Sequence, residues 1–236
     1  MLTDIKKSKT ALIEHLRREI LSTRMAPGSD VDEAVLSVEL SVSRTPLREV
    51  LRQLAGEGFV VMRENRSARV ADMSFATIRD FFVAAPMIYG AVLRLAAENA
   101  KANQIEALRA AQDRFRQSLR NGTAVDRALT NNRFHEITGE MADNIYLLPS
   151  FQRLLIDHAR IGTTFYQPQS NGMAENLDKA SRQHDEIIAA IEARDPDRAG
   201  QLADEHWSLS RGQIELFVMP ASLDLPLGAR PRMTNG

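Results

Sequence analysis

Every β-prone run in this 236-residue sequence lies before Asp72, and the rest reads as helix. Six long amphipathic segments follow, at about 75–101, 103–120, 124–142, 147–166, 174–193 and 196–218, with no further alternation of β-branched residues. Asn121-Gly122, Asp143-Asn144, the stretch from Gln167 to Gly172 and Asp195-Pro196 supply the stops between them. Segments of this kind bury their apolar stripes only against one another, which predicts an all-α antiparallel bundle over 74–220. The remaining residues, 221–236, read as a flexible tail that contains Pro226 and Pro231.

The first 73 residues follow a different plan. Leu12, Ile13, Leu16, Ile20 and Leu21 fall at helical spacing over 9–24, and Pro27-Gly28 breaks that helix. A second helix is expected from about Asp32 to Leu40. After Ser41-Val42-Ser43, a third places Leu47, Val50, Leu51 and Leu54 on one buried stripe and stops at Gly58. Phe59 to Met62 and Ala68 to Ala71 are short β-prone runs around Arg63-Glu64-Asn65-Arg66-Ser67, the pattern of a small hairpin. The fold class expected is therefore mainly α: three helices and a hairpin, then a helical bundle, with the boundary near 73–76.

Composition narrows the classes further. The chain has no cysteine, so disulfides, thiolate metal sites and cysteine nucleophiles are excluded, and any metal needs His and oxygen ligands. No run approaches the roughly 18 uninterrupted apolar residues of a membrane span, which favours a cytoplasmic protein without a membrane partner. The net charge is −1, and residues 1–73 hold 12 Lys and Arg against 11 Asp and Glu. Any nucleic-acid signal must then lie in where charges sit.

The third helix carries such a placement. Ser43 is a good N-cap, Pro46 is tolerated in the first turn, and Arg44, Arg48 and Arg52 recur every four residues opposite the leucine stripe. Arginines there can pair with guanine O6 and N7 or clamp phosphate, although the same spacing also serves a merely solvated helix face. Ser43, Thr45 and the free N–H groups at the helix start can contact phosphate. Arg63, Arg66 and Arg69 add positive charge to the hairpin.

The string from Ala26-Pro-Gly-Ser-Asp-Val-Asp-Glu33, with Leu40-Ser-Val-Ser-Arg-Thr-Pro-Leu-Arg-Glu-Val-Leu-Arg-Gln-Leu-Ala-Gly-Glu-Gly-Phe-Val60, closely resembles the GntR family of transcriptional regulators over residues 9–72. The resemblance implies a winged helix-turn-helix whose Arg44 and Arg48 match the family's base-contacting arginines. It also implies a homodimer that binds palindromic double-stranded operator DNA. Two departures, Ala34 where a basic residue is common and Ser67 where a wing-tip glycine is common, bear on operator sequence and wing conformation.

In the helical half, Asn131 and His135 lie one turn apart on one helix face, while His184 and His206 stand on other helices. Neutral imidazoles with an oxygen donor suit Zn²⁺, Ni²⁺ or a similar first-row ion, yet single histidines on separate helices are as often ordinary core or surface residues. Phe134-His135 with Asn144, then His184-Asp-Glu-Ile-Ile-Ala-Ala-Ile-Glu-Ala-Arg-Asp195 and Ala203-Asp-Glu-His206, resemble the FCD effector domain of the FadR subfamily over roughly 78–218. That resemblance implies an Asp and three His holding a divalent metal under a pocket for a small carboxylate or sugar acid. His135, His184 and His206 match the three histidines, and Asn131 stands where the Asp would be.

A further departure is the first long segment, which lacks the Arg and Glu pair usual there and reads Ala84-Ala-Pro-Met-Ile-Tyr89 around Pro86. An effector carboxylate would then rely on the metal or on another cation such as Arg94 or Arg160. His15 and His158 match no functional position and are read as structural or surface residues. Three functions follow: a repressor with a metal-assisted pocket, the same regulator sensing a purely organic ligand, and a metal-dependent enzyme using Glu136 or Asp185 as base. The enzyme is disfavoured, because those side chains point about 100° around their helices from the neighbouring ligands.

Overall fold

The computed structural model describes residues 8–64, 67–166 and 171–218. Arg66 and the expected 221–236 tail lie outside the described residues. The N-terminal part is α1 (Lys9–Leu21), α2 (Glu33–Glu39), α3 (Arg44–Glu57), β1 (Val60–Val61) and β2 (Arg69–Val70). Ser8 caps α1 by accepting from the Ala11 amide, and Asp32 caps α2 by accepting from Ala34 and Val35. Gly58 ends α3 in the left-handed region at φ 91°, where a side chain is strained. A Cβ on Gly58 would also stand 2.5 Å from Cδ of Arg153, so the third helix ends hard against the C-terminal half.

β1 and β2 pair antiparallel, Val60 opposite Val70, and an isolated bridge from Asp30 to Arg69 ties the approach to α2 onto the same ribbon. Leu12, Leu16, Ile20, Leu47, Val50, Leu51, Leu54 and Val70 form the core beneath. The three helices and hairpin read from the periodicity, and the winged helix-turn-helix that the resemblance implied, are thus the fold observed.

The C-terminal part is α4 (Phe75–Asn99), α5 (Ala102–Asn121), α6 (Ala124–Ala142), α7 (Leu147–Phe165), α8 (Asn171–Glu192) and α9 (Pro196–Val218). α4 packs on α6 and α9, α6 also packs on α5 and α7, and α8 packs on α5 and α9. α4 starts eleven residues before Pro86 and runs through it, as one segment close to the expected 75–101. The missing Pro86 donor leaves the Phe82 carbonyl without its helical partner, at a usual cost of about 3 kcal/mol that burial of Phe81, Ala85, Tyr89, Val92 and Leu93 offsets. α4 is also long and apolar enough, with a mean hydropathy of 1.4 over 18 residues, to cross a membrane by length and composition. Here its buried residues form part of the bundle core.

The two halves do not keep separate cores. Ile156 and Ala159 of α7 complete the apolar cluster under α1 and α3. Arg160, fully enclosed, donates to the Ala71 carbonyl at 2.5 Å and to Asp157 at 3.0 Å, and Asp157 in turn receives Arg153 at 2.9 Å. The opposite face of α7 carries Phe151, Leu155, His158, Gly162 and Phe165 at helical spacing. Phe151 and Leu155 enter the bundle core.

Candidate metal centre and DNA-reading face

Helical burial brings the predicted histidines together. His135 (α6), His184 (α8) and His206 (α9) each offer a ring nitrogen, and these atoms lie within 4.8 Å of one another. Donors on opposite sides of a first-row ion lie about 4.2 Å apart, so small ring rotations bring the set onto one ion. The residues fit such an ion chemically as well. Both ring nitrogens of His135, Nε2 of His184 and Oδ1 of Asn131 are buried with no hydrogen-bond partner among the described residues, a costly state that a shared cation relieves for one nitrogen of each ring and for the amide oxygen.

Neighbouring groups set the ring orientations. Phe134 stacks on His184 at 3.8 Å and 6°, and His184 Nδ1 lies 3.0 Å from Gln112 Oε1. His206 Nδ1 lies 3.1 Å from Gln183 Oε1. Metal-ligating histidines commonly anchor their second nitrogen in this way.

His158, read from sequence as structural or surface, belongs to this centre. Its ring centroid is 5.1 Å from that of His135, and its Nδ1 is 2.6 Å from the Tyr89 hydroxyl. It lines a small cavity with Asn131, Gly162, Phe165, Tyr166, Ala180 and His206. The missed signal was the stripe itself, since His158 falls on the apolar face of α7. Neither arginine named as an effector cation reaches the cavity. Arg94 is half-exposed and pairs with Asp197 at the start of α9, while Arg160 is committed to Asp157 and Ala71 at the junction of the two halves. Glu136 is taken by Asn132 and Arg133, and Asp185 by Gln112 and Arg116, so neither stands ready as a base.

On α3, Ser43, Arg44, Thr45, Arg48 and Arg52 are all exposed. The Ser43 hydroxyl makes no capping bond, which leaves it and the first helical amides open to an anion. Arg48 Nε donates to Glu33 at 2.7 Å, and that pair holds the guanidinium beside α2. Arg63 is tied to Ser67 and Asp30, and Arg69 to Gly28, so both brace the wing from within.

Residues 9–70 match the gntR family of bacterial regulatory proteins, and residues 80–209 match the FCD domain. The chain belongs to the GntR family of transcriptional regulators and carries an FCD effector domain. The HTH-type transcriptional repressor RspR of Escherichia coli K12 is 27% identical over 191 residues, covering 81% of this chain and 82% of that protein. A probable D-xylose utilization operon transcriptional repressor of Paenarthrobacter nicotinovorans is 27% identical over 188 residues, covering 80% of each. The solved structure of E. coli McbR/YncC shares the fold at a TM-score of 0.71 and 16% identity, over 89% of this chain and 96% of that one. This regulator is not an enzyme.

Burial holds the four clustered histidines neutral. His206 is pushed down to about 4, His158 to about 3 with help from the nearby His206 charge, and His135 and His184 fall well below 6.5. Their lone pairs are therefore free near neutrality. Because the unfolded chain takes these protons first, this stability is fully present above about pH 6.5 and is lost as pH falls towards the folded values. By pH 5 each of His158 and His206 should cost on the order of 2 kcal/mol, with His135 and His184 acting in the same direction. Thermal melts of metal-free protein should drop steeply between pH 6.5 and 4.5. A flat profile there would show the rings to be accessible to protons in the native state.

Proposed function

We propose that this regulator is a cytoplasmic repressor that binds a palindromic operator as a homodimer and is released or retained by a small organic acid bound on a divalent metal, Zn²⁺ or Ni²⁺. The observation that carries the sensing half is the convergence of unpartnered buried donors from Asn131, His135 and His184 beside His206. Four neutral donors leave the ion its full charge, where the family's Asp would cancel part of it. An anionic effector is then drawn to the ion itself, which accords with a cavity wall that carries no arginine among the described residues. The described cavity has room for about one water, roughly 10 Å³, so an acid must part α7 from its neighbours to enter. A ligand that binds only the parted state shifts the population of states, and α7 also reaches the core under α3.

Arg44 and Arg48 read base edges in this proposal. Ser43, Thr45 and Arg52 hold phosphate, and Arg63, Arg66 and Arg69 serve the wing. Dimerisation is supported by the stretch of α4 from Phe81 to Leu93, which is apolar on both sides: Val83 and Met87 are 64% and 66% exposed on the face away from the core. A helix that is apolar all round is normally covered, and a second copy of α4 provides that cover.

The second reading, a metal-free regulator with a purely organic ligand, is favoured by Asn131 in place of a carboxylate. Elemental analysis of untagged protein, with melts in Zn²⁺ or Ni²⁺, separates the two. Bound metal near one ion per chain and a raised melting temperature are expected. Protein that holds no metal and gains no stability from either ion leaves the organic reading standing. A screen of carboxylates and sugar acids against the metal-loaded form then identifies the effector class.

A further inference from the structure

Gln112 lies on α5, outside the donor set, yet it is buried against His184. Its amide nitrogen donates to the Ser181 carbonyl at 2.8 Å and faces Asp185 Oδ1 at 3.1 Å and Ser181 Oγ at 3.3 Å. A carbonyl and a carboxylate only accept, so this end of the amide must be the nitrogen, and the end facing His184 must be the oxygen. An amide oxygen only accepts as well. His184 Nδ1 therefore carries the hydrogen, and Nε2, buried and unpartnered, keeps its lone pair on the side of His135 and His206. Asp185 is itself held by Arg116, so a chain of fixed groups runs from the surface groove between α5 and α8 to the ring.

We infer that Gln112 is a positioning residue that locks His184 in the Nδ1–H tautomer and so presets Nε2 as a metal donor. The inference rests on the metal reading above. Gln183 makes the matching contact to His206, whereas His135 has no such anchor. Two of the three rings are thus preset, and the third is left to adapt to the ion.

The test is chelator competition with Zn²⁺ or Ni²⁺ on the untagged full chain, together with ring ¹⁵N chemical shifts of the metal-free protein. Gln112→Met removes the acceptor at similar volume, and its metal-free melting temperature checks folding. The expected result is a 10- to 100-fold weaker affinity, in line with the loss of an outer-shell partner, and a His184 signal that moves from Nδ1–H towards Nε2–H. A wild-type affinity in a folded Gln112→Met protein, or an unchanged tautomer, overturns the inference alone. Wild-type protein that binds neither ion overturns the metal reading and this inference with it.

Discussion

Replacing Arg48 by alanine is expected to weaken operator binding severely while leaving the helical content unchanged. Arg48 sits on the exposed face of α3, with 58% of its side chain accessible, and its leucine neighbours on the opposite face carry the packing. A bidentate arginine–guanine contact is worth about 1–3 kcal/mol of discrimination, and a two-fold dimer loses two of them. Binding should weaken by roughly 30-fold to 10⁴-fold. The lost Glu33 pair is a surface pair worth at most about 1 kcal/mol, so the fold survives. Fluorescence anisotropy on the operator, run beside circular dichroism, checks both halves. Sequence-specific binding retained in this variant would remove Arg48 from the reading surface.

The second large effect runs in opposite directions for stability and for sensing. His135→Leu should raise the melting temperature of the metal-free protein and eliminate its response to Zn²⁺ or Ni²⁺. His135 is 1% exposed, and both of its ring nitrogens lack partners among the rings of Tyr89, Phe134, His158, His184 and His206. Each unmet buried polar group costs about 1–3 kcal/mol. A leucine of similar volume removes that cost, with a repacking penalty usually below about 1.5 kcal/mol. A net gain of about 1–2 kcal/mol corresponds to a rise of roughly 2–8 °C for a protein of this size. Wild-type protein at a metal concentration a hundred times its Kd gains about 2.7 kcal/mol, and the variant should gain nothing. A variant that melts lower than wild type without metal would mean that the ring nitrogens are already satisfied by water.

Much of this architecture was legible in the sequence because it rests on local rules. The 3.6-residue stripes of Leu47, Val50, Leu51 and Leu54 and of the six later helices require only that apolar faces be buried, and Gly58 and Asp32 mark ends by backbone chemistry. The convergence of His135, His184 and His206 was legible through the resemblance, since no spacing rule links residues on three helices. What escaped depends on which neighbour an element meets. Arg160 and Arg94 look alike in a sequence, but one is buried under Ala71 and the other lies at the surface beside Asp197. His158 was hidden for the same reason, being a polar residue on a stripe whose apolar members drew the attention.

The position of α7 also bears on how such a protein can be cut and recombined. A boundary near 73 separates the chain by motif but not by wetting. Severed there, the DNA-binding part leaves the apolar patch that Ile156 and Ala159 cover facing water, and Ala71 loses the guanidinium of Arg160. Grafting this reader onto a foreign sensor therefore calls for a helix of matching contour beneath α1 and α3. Within the family, exchange of DNA specificity should travel with the α7 sequence rather than with the linker.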